Sequence, residues 1–182
     1  MHFVVTDLES TCDEPQLPRN EMEPIEIGAV IVNENFEIID KFETFIKPTI
    51  HSELTPFCTK LTTIKQSDVE NAPTFIESYL SFEKWFTQFN DVVFCSWGKY
   101  DSYELRRVCA LNDLEFYFSE EQCFNLKRMF AKKQKIGKEV GVRRALNLAG
   151  IKFEGQVHRG IDDAINISKL LRYSYFDDII KK

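Results

Sequence analysis

The chain has no apolar run approaching the roughly 20 residues that a membrane-spanning helix needs. Nor does it open on a basic stretch followed by a long apolar one. MHFVVTDLE meets an acid at Asp7, so a secretory leader is not expected. Cysteine is sparse and unpatterned. Cys12, Cys58, Cys95, Cys109 and Cys123 are odd in number, scattered, and form no CxxC pair. That argues against a zinc site or a disulfide framework and for free thiols in a reducing, cytoplasmic setting. Histidine is scarcer still, at His2, His51 and His158. The net charge of −6 lacks the basic excess typical of a nucleic-acid binder. No internal repeat or low-complexity tract is present.

What is there suits one well-buried domain spanning residues 1–182, with its motifs within about 3–172 and a short C-terminal tail. The length of 182 residues is too short for two comfortable domains. A hydrophobic content of 43% and a charged content of 29% are ordinary for a soluble globular protein, and 16 phenylalanines supply large core side chains. The charge is unevenly spread. Residues 127–144 hold Lys127, Arg128, Lys132, Lys133, Lys135, Lys138, Arg143 and Arg144 against Glu139 alone, a net +7 that leaves −13 elsewhere. Such a stripe is either a solvated surface or a steering field for a polyanion.

HFVVTDLE reads as a buried strand ending in acids, and the polar segment 11–24, with three prolines, reads as a loop. IEIGAVIVN and FEIIDKFETFIKP predict an antiparallel hairpin turning at Glu34-Asn35. Residues 52–73 read as short helices and loops. TFIESYLSFEKWFTQF has helical apolar spacing, DVVFCSW is a short buried strand, and YDSYELRRVCALND is a helix. CFNLKRMFAKK and VGVRRALNLAG read as helices, separated by Gly137, and IDDAINISKLLRYSYF as the last one. Early strands followed by alternating strand and helix predict a mixed α/β sheet covered by helices.

Acids recur at or beside the ends of the apolar runs. Asp7 and Glu9 lie two apart on one strand, so they share a face with Val5, opposite Val4, Thr6 and Leu8. Asp101 follows VVFCSWGKY at a helix start. Asp162 and Asp163 open the last helix, and His158 lies five residues before Asp163. Singly, each has an ordinary explanation as a surface acid or a helix cap. Brought together, four carboxylates would disfavour one another's ionisation, and hard divalent cations are the usual resolution.

TDLES, SWGKYD and HRGIDDA resemble the three exonuclease motifs of the DEDDh superfamily, the DnaQ-like 3′→5′ exonucleases. LTPFCTKLTTIKQSDVENAPTF is similar to a stretch of the Eri-like, histone-mRNA 3′-exoribonuclease branch. The resemblance implies a ribonuclease H-like fold, a mixed five-stranded sheet flanked by helices. It implies Asp7, Glu9, Asp101 and Asp163 as ligands of two Mg²⁺ or Mn²⁺ ions, with Asp7 as the bridge, and His158 as general base. Asp163 is preferred to Asp162 by the family spacing. It implies two-metal hydrolysis of single-stranded RNA, or of RNA 3′ overhangs, releasing nucleoside 5′-monophosphates. Histidine, which titrates near neutral pH as a residue type, suits the base role. Leu8, Ser10, Thr11, Phe57, Leu61 and Trp97 are candidates for holding the terminal nucleotides, by stacking or backbone contact. Thr63 and Lys99 depart from the family, which often has glycine and an acid there. DNA as substrate, phosphomonoester hydrolysis and an inactive nucleic-acid-binding adaptor are the alternatives. No membrane partner is expected, and oligomeric state is left open.

Overall fold

In the computed structural model, which describes residues 1–174, five strands form one sheet in the order β3-β2-β1-β4-β5. They are β1 (His2–Ser10), β2 (Pro24–Val32), β3 (Ile38–Phe45), β4 (Val92–Ser96) and β5 (Cys123–Asn125). β1 runs antiparallel to β2, and β2 to β3, whereas β1–β4 and β4–β5 are parallel. The helices are α1 (Pro56–Thr62), α2 (Gln66–Val69), α3 (Phe75–Phe86), α4 (Tyr100–Leu111), α5 (Leu126–Lys133), α6 (Val142–Leu148), α7 (Gly160–Lys169) and α8 (Leu171–Ser174), with one 3₁₀ turn at Glu120–Gln122.

The alternation along β1 divides the core. Val4 and Leu8 face a cluster with Tyr79, Phe82 and Phe86 of α3 and Leu105 and Cys109 of α4. Phe3 and Val5 face the other side, with Leu126 of α5, Ile167 of α7 and Leu171 of α8. Both faces of β2 are buried throughout, which explains its near-continuous apolar sequence. Asp7 and Glu9, two and four residues beyond Val5, therefore point toward the side covered by α7.

Local chemistry sets the helix starts. Thr55 Oγ1 accepts from Cys58 N–H at 3.0 Å and Thr74 Oγ1 from Glu77 N–H at 3.4 Å, capping α1 and α3. At α3 the Glu77 carboxylate returns to Thr74 N–H at 2.8 Å, completing a capping box.

Two expectations need correction. Cys123–Asn125 is not the start of a helix but a fifth strand pairing Phe94 with Cys123 and Ser96 with Asn125. Three residues on a sheet edge are too few for alternation to register in a sequence. The hairpin turn is also longer than Glu34-Asn35. It spans residues 33–37, where Asn33 Oδ1 accepts from the backbone N–H of Asn35 (2.9 Å) and Glu37 (3.0 Å). The expected extension of the last helix through Tyr175 and Phe176, and the tail after it, lie outside the described residues.

Candidate active site

Parallel pairing aligns the C-terminal ends of β1, β4 and β5 along one edge of the sheet, and the acids gather there. The last β1–β4 pair is Val5 with Cys95. Beyond it the Asp101 carboxylate becomes the acceptor, taking Leu8 N–H at 3.1 Å. Asp101, in the first turn of α4, is only 5% exposed. Beside it, Tyr100 donates its hydroxyl to Ser10 Oγ at 3.0 Å, tying α4 to the end of β1.

The third segment is brought in by two glycines. Gly28 of β2 stands opposite Asp7, and a Cβ there would lie 2.0 Å from the Gly160 carbonyl carbon and 2.0 Å from Ile161 N. A Cβ on Gly160 would lie 3.0 Å from the Asp7 carbonyl oxygen. The first turn of α7 thus rests directly on the backbone of β1 and β2. Glu26, fully buried opposite Glu9, accepts from Gly160 N–H at 3.1 Å and pairs with Arg159 at 3.2 Å. Arg159 also reaches Glu43 on β3 at 2.8 Å. These contacts fix the height and rotation of α7.

The docking separates the two neighbouring aspartates. Asp162 turns to the preceding loop and accepts from Gln156 N–H at 2.8 Å. Asp163 turns inward and accepts from His158 N–H at 2.8 Å. His158 itself is exposed and adopts φ +61°, in the left-handed region. Asn166 holds the rest of that loop by bonding Glu154 at both its N–H (3.0 Å) and its carbonyl (2.7 Å). The outcome is a compact set: ligand-type atoms of Glu9, His158 and Asp163 all lie within 4.8 Å of one another.

The electrostatics of this set are strained. Burial, followed by the charges of Asp101, Glu9, Asp163 and Glu26, drives Asp7 well above the usual carboxylate range. Burial, then Asp163, Glu26 and Asp101, push Glu9 up to about 8. Burial raises Asp101 to about 6, with the Leu8 N–H pulling against it. Asp163 is raised by burial, partly offset by the His158 N–H. Among the described residues, none of these four acids forms an ion pair with lysine or arginine. Closely packed, uncompensated carboxylates with one imidazole are a hard-oxygen donor set that fits divalent metal.

The candidate nucleotide contacts divide. Phe57 and Leu61 stand one turn apart on α1, Phe57 half-buried and Leu61 38% exposed, outside the core clusters. α1 is held against the end of β1, through Thr55 Oγ1 to the Cys12 carbonyl (2.8 Å) and Cys58 Sγ to the Ser10 carbonyl (3.7 Å). Ser10 and Thr11 are buried; Thr11 Oγ1 accepts from Glu23 N–H at 2.9 Å and Thr11 N–H donates to the Glu23 carbonyl at 2.8 Å, so Thr11 is bonded through both its side chain and its N–H. The Leu8 side chain belongs to the core. Trp97 packs on Phe130 with ring centres 5.7 Å apart and donates Nε1–H to the Val140 carbonyl at 2.9 Å. Those contacts hold the half-buried Trp97 ring in place beside the acid cluster and commit its Nε1–H.

Glu26, Arg159 and the Gly28–Gly160 contact were missed by sequence reasoning. The signal for Glu26 was present: an acid inside the apolar run PIEIGAVIV needs a buried partner.

Comparison with known proteins accords with this geometry. ERI1 exoribonuclease 3 of Homo sapiens is 28% identical over 179 residues, covering 94% of this chain and 52% of that protein. 3′-5′ exoribonuclease 1 of Homo sapiens is 25% identical, covering 93% of this chain and 51% of that protein. The chain thus spans about half the length of these curated relatives. Among solved structures, the nuclease domain of 3′hExo, a DEDDh family member bound to rAMP, superposes with a TM-score of 0.84 at 26% identity, covering 94% of this chain and 92% of that one. Cell-death related nuclease 4 shares the fold, with a TM-score of 0.83 at 22% identity over 94% of this chain and 62% of that one. The model of the RNase_T exonuclease family matches residues 4–171, which take in all four acids and the histidine, and the chain belongs to that family.

Proposed function

We propose that this protein is a metal-dependent 3′→5′ exonuclease that acts on single-stranded RNA, or on RNA 3′ overhangs, and releases nucleoside 5′-monophosphates. The observation that carries the reading is the convergence of Asp7, Glu9, Asp101 and Asp163 from three separate segments, with His158 beside Glu9 and Asp163. The four acids would hold two Mg²⁺ or Mn²⁺ ions. Bound divalent metal supplies an activated water and charge neutralisation at the phosphodiester.

This chain's own residues do the rest. His158, exposed on a loop tied to α7, is open to solvent and can take the proton of the attacking water. Attack at phosphorus breaks the bond to the 3′-oxygen, so the phosphate stays on the departing nucleoside as a 5′-monophosphate. Phe57 and Leu61 would offer an apolar surface to the terminal bases, while the buried Ser10 and Thr11 would act by holding the end of β1 beside them. Leu8 serves through its N–H, which orients Asp101.

The choice of RNA leans on the names of the exoribonuclease relatives. DNA is the second substrate to test, and an inactive adaptor is disfavoured by the complete acid set. Free cysteines at all five positions suit a cytoplasmic location, and no described helix is long and apolar enough to cross a membrane. Residues 1–182 are read as one exonuclease domain.

The test is a time course on matched 5′-labelled RNA and DNA oligonucleotides with Mg²⁺, with Mn²⁺ and with EDTA, beside a His158→Asn control. A ladder shortening from the 3′ end, abolished by EDTA and by the substitution, is expected, with RNA cleaved faster. Free phosphate in place of mononucleotides would point to a phosphomonoesterase. No cleavage of either polymer by folded protein with both metals would point to an adaptor.

A further inference from the structure

We propose that the basic face of residues 127–144 is a track for the phosphate backbone of the RNA upstream of its 3′ end. This rests on the exonuclease reading and extends it from the terminal nucleotide to the body of the substrate.

Placement is the first argument. Asn125, the last residue of β5, pairs with Ser96, the last residue of β4, so α5 leaves the sheet at the edge where the acids gather. The Trp97 Nε1–Val140 hydrogen bond of 2.9 Å brings the far end of the segment back to that edge, and Arg143 and Arg144 follow at once on α6. A backbone emerging from the acid cluster meets the basic segment at either end.

Charge is the second. The stripe carries +7 on a chain of −6, and the rest of the chain sums to −13, so the stripe is the chain's main local concentration of positive charge. Arg128, Lys135, Lys138, Arg143 and Arg144 are exposed, and among the described residues none of them forms an ion pair. Glu139 is the one acid among them, so the segment keeps a positive surplus, and counterions condensed on a nucleic acid are released when such cations engage it.

Shape is the third. A shallow groove of about 500 Å³ lies along the stripe, lined by Ala131, Lys132, Lys135, Gly137, Lys138 and Glu139. It offers three ammonium groups against the one carboxylate of Glu139 and no aromatic ring, which suits phosphates rather than stacked bases. Beneath it, buried Phe130, Val140, Ala145 and Leu146 anchor the segment to the core, so the surface cations sit on a fixed support.

The experiment combines Lys135→Ala, Lys138→Ala, Arg143→Ala and Arg144→Ala, all exposed and outside the acid cluster. Binding of a fluorescently labelled single-stranded RNA is measured in EDTA across a salt series. Four lost phosphate contacts should flatten the slope of log affinity against log salt by about 3 and weaken low-salt binding at least tenfold. In Mg²⁺, kcat/KM for a long oligonucleotide should fall by a similar factor, while cleavage of a dinucleotide stays unchanged. An unchanged salt slope, as expected if the stripe serves an acidic protein partner, overturns the proposal. So does an equal loss on the dinucleotide. Absence of cleavage by the unsubstituted protein would count against the exonuclease reading alone, because the binding slope still judges the track. If the fourfold variant fails to fold, the lysine pair and the arginine pair are read separately, each for half the slope change.

Discussion

Each acid of the cluster is held at a cost, and that cost is testable one residue at a time. Glu9, only 8% exposed, is surrounded by Asp163, Glu26 and Asp101 and is pushed up to about 8. Glu9→Gln removes one charge from the group and keeps its volume. In metal-free protein the change should raise the thermal midpoint above pH 8, where the native glutamate is ionised, and leave it nearly unchanged in mild acid. The same variant should lose its activity with metal, since the amide is a poor ligand for a hard cation. A midpoint that falls at high pH would show that Glu9 is satisfied by something other than metal. His158 is tested differently. Its positive φ disfavours alanine, whereas asparagine accepts that conformation readily. His158→Asn should keep the fold and cut kcat about a hundredfold or more. Loss of activity together with a lower thermal midpoint would instead indicate a role in holding the loop.

At the scale of elements, the site depends on how closely α7 approaches the sheet. Gly28→Ala would set a methyl 2.0 Å from the backbone of Gly160 and Ile161, and no side-chain rotation can relieve a backbone contact. The expected cost is about 3 kcal/mol or more, with α7 displaced and Asp163 drawn away from Glu9, so activity should fall even where the variant still folds. A variant with native stability and activity would mean that α7 can shift without harm to the site. Arg159→Ala removes the cation that compensates Glu26, whose side chain is fully buried. Stranding that carboxylate should cost about 3 kcal/mol, and Glu26→Gln on the same background should recover part of it, as chemical denaturation would measure. These contacts mark the boundary of what the sequence disclosed. The gathering of Asp7, Glu9, Asp101, Asp163 and His158 could be anticipated because the three motifs are jointly specific, although each acid singly has an ordinary explanation. The four longer strands were legible as short β-branched and aromatic apolar runs bounded by polar or turn residues. Glu26, Arg159 and the paired glycines were not, because they act between β2 and α7, more than a hundred residues apart in the chain, and a single sequence carries no measure of that distance.

For the whole molecule, the acid cluster links folding, metal and pH. Glu9 at about 8 and Asp101 at about 6, with Asp7 and Asp163 also raised, lie above the values these groups have in an unfolded chain. Between mild acid and pH 8 the native state therefore binds more protons than the unfolded state. The slope of unfolding free energy against pH is then negative, so metal-free protein should lose stability as pH rises through that window. This is the reverse of the usual carboxylate contribution, in which ion pairs make an acidic group stabilising at neutral pH. Divalent metal should reverse the trend, because it binds the ionised carboxylates and displaces their protons. The check is a thermal melt in EDTA and in saturating Mg²⁺ or Mn²⁺ at about pH 5 and about pH 9, where the difference between the two curves should grow from near zero to at least about 5 °C. A proton release on metal addition near neutral pH, read with an indicator dye, should accompany it. Equal melting curves at high pH, with and without either metal, would mean that the carboxylates are not metal ligands, and the chemistry assigned to them would have to be abandoned.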